Sequence, residues 1–202
     1  MTEASASLIL ASTSATRADM LARAGIVVAS VPPRVDEEEA KVALRAAGAS
    51  PRDQADALAE MKARRVSARA PGALVIGADQ VLDLGGEAFD KPRTREEARD
   101  QLLRLRGGRH HLYSAAVVAR DGAPIWRHIA RATLTMRAFS DPFLERYLDE
   151  EGDAVFSTVG GYRIEARGVQ LFSRIEGDWF AILGLPLLEL AAWLRVTGAL
   201  EE

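Results

Sequence analysis

The chain has 202 residues, 48% of them hydrophobic and 27% charged, with a formal net charge of -3. That profile belongs to a soluble globular protein, and the negative balance offers no broad basic field for nucleic acid. No cysteine is present, which removes disulfides, thiolate metal sites, iron–sulfur clusters and cysteine nucleophiles together.

The opening MTEASASLILASTSATR lacks a basic segment and its apolar run ends at Ala11, so it is not expected to act as a signal peptide. No apolar run approaches the roughly 20 residues of a membrane span. A cytoplasmic protein of one domain over residues 1–202 is the expectation. Residues 6–11 read as a buried strand, and Ser12-Thr13-Ser14 caps a helix to about Ala24 that Gly25 stops. Residues 26–31 read as a second strand ended by Pro32-Pro33, and Asp36 to Glu39 opens a helix to about Ala47. Pro51 begins a longer helix to about Ala70. Residues 73–78 form a third strand, which resumes at 81–84 and turns at Gly85-Gly86.

Thr94 and Glu97 make a capping box for a helix at 94–106. Strands at 109–120 and 124–137 follow, joined by the hairpin signal Asp121-Gly122. Ser140-Asp141-Pro142 starts another helix. After a glycine-rich passage at 160–168, strands at 169–176 and 179–183 are expected around Gly177-Asp178, and Gly184-Leu185-Pro186 starts the last helix. The alternation of helices and strands, broken by a hairpin, predicts an α/β fold with a mixed sheet.

Polar residues in apolar surroundings nominate the chemistry. Ser12 to Arg17 stands between a strand and a helix, where free backbone N–H groups, hydroxyls and an arginine suit a phosphate; ordinary capping by Ser14 is the alternative. Only three of the 26 basic residues are lysines, Lys41, Lys62 and Lys91, so each is retained against the chain's habit of using arginine. Lys62 shares a helix face with Leu58 and Val66 and must either snorkel or meet an anion. Asp79 interrupts an apolar strand, as a metal ligand, a general base or a turn residue. Asp36-Glu37 suits a helix start in any case, and Lys91-Pro92 is a rigid basic turn or a solvated loop. His110 and His111 point to opposite faces of a strand, which argues against a shared metal. Two carboxylate positions, two lysines and a hydroxyl-rich helix start suggest a site for a polyphosphate with a divalent cation.

Taken as ordered strings, these residues resemble the Maf family of nucleoside triphosphate pyrophosphatases. The matching blocks are LILASTSATRADML at 8–21, VDEEE at 35–39, LAEMKA at 58–63 and VIGADQVLDLGGEAFDKPRTREEA at 75–98. They continue with LRLRGGRHHLYSAAVV at 103–118, GGYRIEARG at 160–168 and IEGDWFAILGLPLLEL at 175–190. The resemblance implies an elongated, twisted mixed sheet flanked by helices, in two lobes around a cleft, similar to the inosine triphosphate pyrophosphatase fold. It implies hydrolysis of a nucleoside triphosphate between the α- and β-phosphates, with Mg²⁺ or Mn²⁺, in removing noncanonical or excess nucleotides. It places the catalytic aspartate at Asp79, phosphate and metal handling at Ser12, Arg17, Glu37, Lys62 and Lys91, and metal ligation at Glu37 and Asp79. A homodimer is compatible with it, and neither nucleic acid nor a membrane is an expected partner.

Two features bear on substrate. The family's opening S-x-S-P is commonly followed by two basic residues, or by one other residue and then two, whereas here Ala15 replaces the proline, Thr16 follows, and Arg17 precedes Ala18. Gln80 and Glu165 resemble members that prefer 7-methyl-GTP, but those carry a tryptophan where Thr16 stands; members preferring dTTP and UTP carry Thr and Gln at the first two places. The rival reading is a nucleotide-binding regulator of cell division, with hydrolysis incidental.

Overall fold

The computed structural model describes residues 7–201; Ala6, the expected start of the first strand, and the rest of the opening MTEASA lie outside the described residues. Strand β1 (Leu8–Ala11) leads to helix α1 (Ala15–Arg23). α1 ends in a Schellman motif: the Gly25 N–H donates to the Ala22 carbonyl, the Ile26 N–H donates to the Leu21 carbonyl, and Gly25 takes φ 74°. That closure buries Ile26 as the helix's terminal contact. The expected strand 26–31 is therefore reduced to β2 (Ala29–Ser30).

Helices α2 (Glu37–Ala46) and α3 (Pro51–Ser67) start at the expected acidic stretch and the expected proline. Strand β3 (Leu74–Leu84) runs unbroken through Asp79 and Gln80, because β5 (Arg109–Arg120) pairs with it from Val75 to Asp83. Between them lie a strand without a sequence signal, β4 (Glu87–Phe89), and helix α4 (Arg95–Leu105). β5 turns through Asp121 and Gly122, both at positive φ, into β6 (Ala123–Met136). Helix α5 (Asp141–Glu151) passes into short 3₁₀ turns at Gly152–Ser157, Val159–Gly161 and Arg167–Leu171. Strand β7 (Phe172–Glu176) and helices α6 (Trp179–Ile182) and α7 (Leu187–Val196) complete the described chain.

The expected hairpin of 169–176 with 179–183 is not formed. Asp178 accepts the Ala181 N–H at 2.8 Å, which caps α6 and turns the apolar run Trp179–Ile182 into a helix. β7 pairs with β6 instead.

The seven strands make one mixed sheet, ordered β2-β1-β3-β5-β6-β7 with β4 also on β3. β1 is parallel to β2 and β3, and the other pairings are antiparallel. One apolar cluster joins β1, α1 and α7 at one end of β3; another gathers α4, α5 and the 3₁₀ turns around Leu82 and Phe89. The α/β architecture with helices flanking a mixed sheet is the expected one. No helix among the described residues is long and apolar enough to cross a membrane.

The two strand histidines make separate contacts. His110 is 1% exposed with Nε2 2.8 Å from the Tyr162 hydroxyl, while Nδ1 of His111 lies 3.0 Å from Thr133 Oγ1. Burial, with a smaller effect of His111, pushes the His110 ring down to about 4. Between about pH 6.5 and 4 the unfolded chain binds the proton and the folded chain does not, so stability falls as pH falls through that window. About 3 kcal/mol is expected from this residue. Urea unfolding at pH 7 and 4.5 checks it: His110→Asn should lose less stability on acidification than the parent chain.

Candidate active site

The site forms where β3 loses a neighbour. β1 stops opposite Gly77, and β4 covers only Leu82 to Leu84, leaving that edge of Ala78–Val81 unpaired by strands. This is the crevice past the carboxyl end of β1, at the β1/β3 switch point of a 2-1-3 strand order, where open α/β sheets bind ligands. A cleft of about 1020 Å³ opens there, lined by the 12–17 turn, the start of α2, Lys62, Asp79, Lys91 and the segment carrying Glu165.

Alternation along β3 turns Gly77, Asp79 and Val81 toward α3. The helix lies close because Ala55, Ala59 and Ala63 present small side chains and Gly77 presents none; a Cβ there would stand 2.6 Å from the Ala63 amide nitrogen. That approach brings Lys62 onto Asp79. Its Nζ donates to Asp79 Oδ1 at 2.7 Å and pairs with Glu37 Oε2 at 2.9 Å. Lys62 is 5% and Asp79 8% exposed. The lysine therefore meets anions rather than snorkelling, and its charge offsets the cost of placing two carboxylates together.

Across the bare edge stands α1. Its N-cap Ser14 accepts the Arg17 N–H at 3.4 Å, and Ser12 accepts the Ser14 N–H at 3.1 Å. Thr13 to Thr16 line the cleft at this N-terminus, whose dipole favours anions. Arg17 donates through Nε to the Gly184 carbonyl at 2.8 Å and through Nη1 to the Ala78 carbonyl at 3.1 Å, filling part of the missing strand's place. Ala18 packs toward the apolar cluster of β1 and α7.

Lys91 makes no ion pair or hydrogen bond among the described residues. Burial first, and the Arg17 charge second, hold its ammonium below the usual lysine range, with Asp79 opposing. Burial likewise lowers Arg17 against the pull of Asp79 and Glu37. At Lys91 the neighbouring Arg17 and Lys62 charges add to burial, a cationic excess that a polyanion would relieve.

Gln80 faces the other way from Asp79. Its Nε2 donates to Ser114 Oγ and to the carbonyls of Ala181 and Ile182 at 2.9–3.1 Å, so its amide nitrogen anchors α6. Glu165 is exposed and lines the same cleft. Two residues before it, Arg163 is held by the buried carboxylate of Glu151 at 2.9 and 3.0 Å. Thus Ser12, Thr16, Arg17, Glu37, Lys62, Asp79, Gln80, Lys91 and Glu165 all border one cleft. Sequence reasoning missed Arg34, which enters the cleft with φ 48°, and Arg163. It flagged Lys41 only by the scarcity of lysine, yet all three lysines line the cleft.

Residues 7–197 match the family model described as Maf-like protein. The chain belongs to this family. It is 55% identical over 191 residues to a nucleoside triphosphate pyrophosphatase of Caulobacter vibrioides, covering 95% of this chain and 96% of the relative. It is 53% identical over 196 residues to the nucleoside triphosphate pyrophosphatase of Hyphomonas neptunium, with 97% and 98% covered. Identity to nucleoside triphosphate pyrophosphatase 1 of Jannaschia sp. is 52% over 191 residues, with 95% and 96% covered. The residues matched by the family model, 7–197, include every residue that borders the cleft.

Proposed function

We propose that this Maf-like chain hydrolyses nucleoside triphosphates to a nucleoside monophosphate and pyrophosphate, the activity that its relatives' names carry. The observation that supports it most is the Asp79–Lys62–Glu37 chain of charges facing the unpaired Lys91 and the α1 N-terminus across one cleft. A binding module needs the cations; it has no use for a carboxylate held beside them.

Asp79 accepts one bond from Lys62 through Oδ1, and Oδ2 accepts none from the described residues. Oδ2 is the oxygen to take a proton from water as the water oxygen attacks the α-phosphorus. The bond from that phosphorus to the oxygen bridging to the β-phosphate breaks, and pyrophosphate leaves. Lys91, Arg17 and the α1 N–H groups stabilise the charge gathering on the departing phosphates, with the Ser12 and Thr16 hydroxyls as further donors. Lys62 keeps Asp79 oriented, and the proton passes to solvent.

Asp79 and Glu37 suit a divalent cation as hard oxygen donors, each with one oxygen outside the bond to Lys62. No cluster of three or more such ligands exists among the described residues, so the remaining ligands would be phosphate oxygens and water, as Mg²⁺ prefers. When bound, Mg²⁺ or Mn²⁺ would neutralise phosphate charge and polarise the phosphoryl oxygens. Residues 1–202 then serve one activity, and the cytoplasm, where nucleotides are held, is its natural place. The test is release of monophosphate and pyrophosphate from a nucleotide panel with and without Mg²⁺ or Mn²⁺ in ¹⁸O water. Label in the monophosphate is expected; label only in orthophosphate or pyrophosphate would refute attack at the α-phosphorus.

Base choice falls to Glu165 and Gln80, which line the same cleft. A guanine-type ring presents N1–H and a 2-amino group side by side, and the Glu165 carboxylate can accept both, while Gln80 has only Oε1 free of its bonds to α6. We read the site as favouring guanine-type triphosphates, 7-methyl-GTP included, loosely because Thr16 offers no stacking face. Glu165→Gln should cut the kcat/KM ratio of 7-methyl-GTP or GTP to UTP or dTTP by about 1–3 kcal/mol, by analogy with base-edge readout. A wild-type preference for UTP and dTTP, or an unchanged ranking in the variant, would sink this assignment.

A further inference from the structure

Lys41 is the lysine that the proposed reaction leaves without a task. It lies on α2, a helix with no fully buried residue, so apolar packing does little to hold that element, although its first residue is Glu37. Ion pairs take over. Lys41 Nζ stands 3.1 Å from Asp90 Oδ1 and 3.2 Å from Glu38 Oε1; Arg45 Nη2 stands 2.8 Å from Asp90 Oδ2, and Arg93 Nη2 2.8 Å from Glu38 Oε2.

Asp90 is the crossing point. Each of its carboxylate oxygens is taken by a different cation of α2, and its backbone carbonyl accepts a bond from Gln101 Nε2 on α4 at 3.0 Å. Burial would raise its pKa, but Arg45 and Lys41 outweigh that and hold the carboxyl below its ordinary range. The next residue is Lys91, and buried Pro92 restricts the backbone just after it. Lys91 thus lacks a side-chain partner but sits between two restrained neighbours.

We propose that Asp90 is a positioning residue: gripped by Lys41 and Arg45, it fixes Lys91 and the Glu37-bearing helix against each other across the cleft mouth. Partly exposed ion pairs contribute little to overall stability. Their effect here is geometric, because a phosphate ligand must already stand in place for its charge to be fully used. The inference rests on the reading of Lys91 as a phosphate ligand.

A double-mutant cycle separates the two ideas. Asp90→Asn, Lys91→Met and the double variant are compared with wild type for binding of α,β-methylene-GTP and α,β-methylene-UTP by calorimetry, so that loss of turnover does not silence any corner. Asp90→Asn should weaken binding about five- to tenfold alone and less than about twofold in the Lys91→Met background. An equal loss in both backgrounds, or none in the first, overturns the positioning role while leaving Lys91 intact. Wild-type binding by Lys91→Met overturns the Lys91 reading and this inference with it. Should Asp90→Asn fail to fold, the same cycle run with Lys41→Met decides by the same criteria.

Discussion

Replacing Asp79 by asparagine is expected to lower kcat/KM about 10²–10⁴-fold, the usual cost of removing a general base. The amide keeps the shape but takes no proton from water and carries no charge for a cation. The fold should survive, because Lys62 retains Glu37 at 2.9 Å when its 2.7 Å bond to Asp79 is weakened. A stability loss of about 1–3 kcal/mol is expected for the depleted pair. Steady-state kinetics and a urea titration on the same preparation check both figures. Activity within a few-fold of wild type would move the base to Glu37, the other carboxylate on Lys62.

Gly77→Ala is the substitution expected to cost most in stability. The added Cβ would overlap the Ala59 carbonyl and crowd the Ala63 amide, both backbone groups of α3 that cannot rotate away. Helix and strand must separate, so a loss of about 3 kcal/mol or more is expected, at the upper end of overpacking. The damage should reach the site, since the displaced helix carries Lys62 away from Asp79. A lowered urea midpoint together with kcat/KM reduced in the folded fraction is the expected result. A variant with wild-type stability would show that α3 does not rest on Gly77.

How far the site could be read before folding follows from what each residue violates locally. Asp79 stands out because a carboxylate inside an apolar strand breaks alternation, Lys62 because it interrupts an apolar helical stripe, and Lys91 because proline follows it. Such violations need no partner to be visible. Asp90, Arg34 and Arg163 break no local pattern: each is an ordinary charged residue in a loop or at a helix flank, and its role depends on neighbours distant in sequence. Arg45 meets Asp90 across 45 residues and Arg17 meets Gly184 across 167.

The misread elements share one cause. Residues 26–31 and 179–183 are short apolar runs, which periodicity alone does not divide between strand and helix. Hydrogen bonding at a neighbouring turn decided both: the Schellman closure takes Ile26 out of the sheet, and the Asp178 cap winds Trp179–Ile182 into a helix. β4 escaped notice because three residues carry too little pattern, and it exists only because β3 extends past the end of β1 and leaves an edge to pair.

Sequence by itself determined helices α1 to α5 with their caps, the long β5–β6 hairpin, the α/β class and the residue types of the cleft, because these follow from backbone preferences and from the cost of polar groups in apolar runs. Only the tertiary structure decided that Lys62 bridges Asp79 and Glu37, that Gln80 turns its amide away toward α6, and that Lys41 reaches Asp90. The first depends on an approach of α3 to β3 that one missing Cβ permits, and all three are contacts between segments far apart in the chain, which leave no local pattern to read.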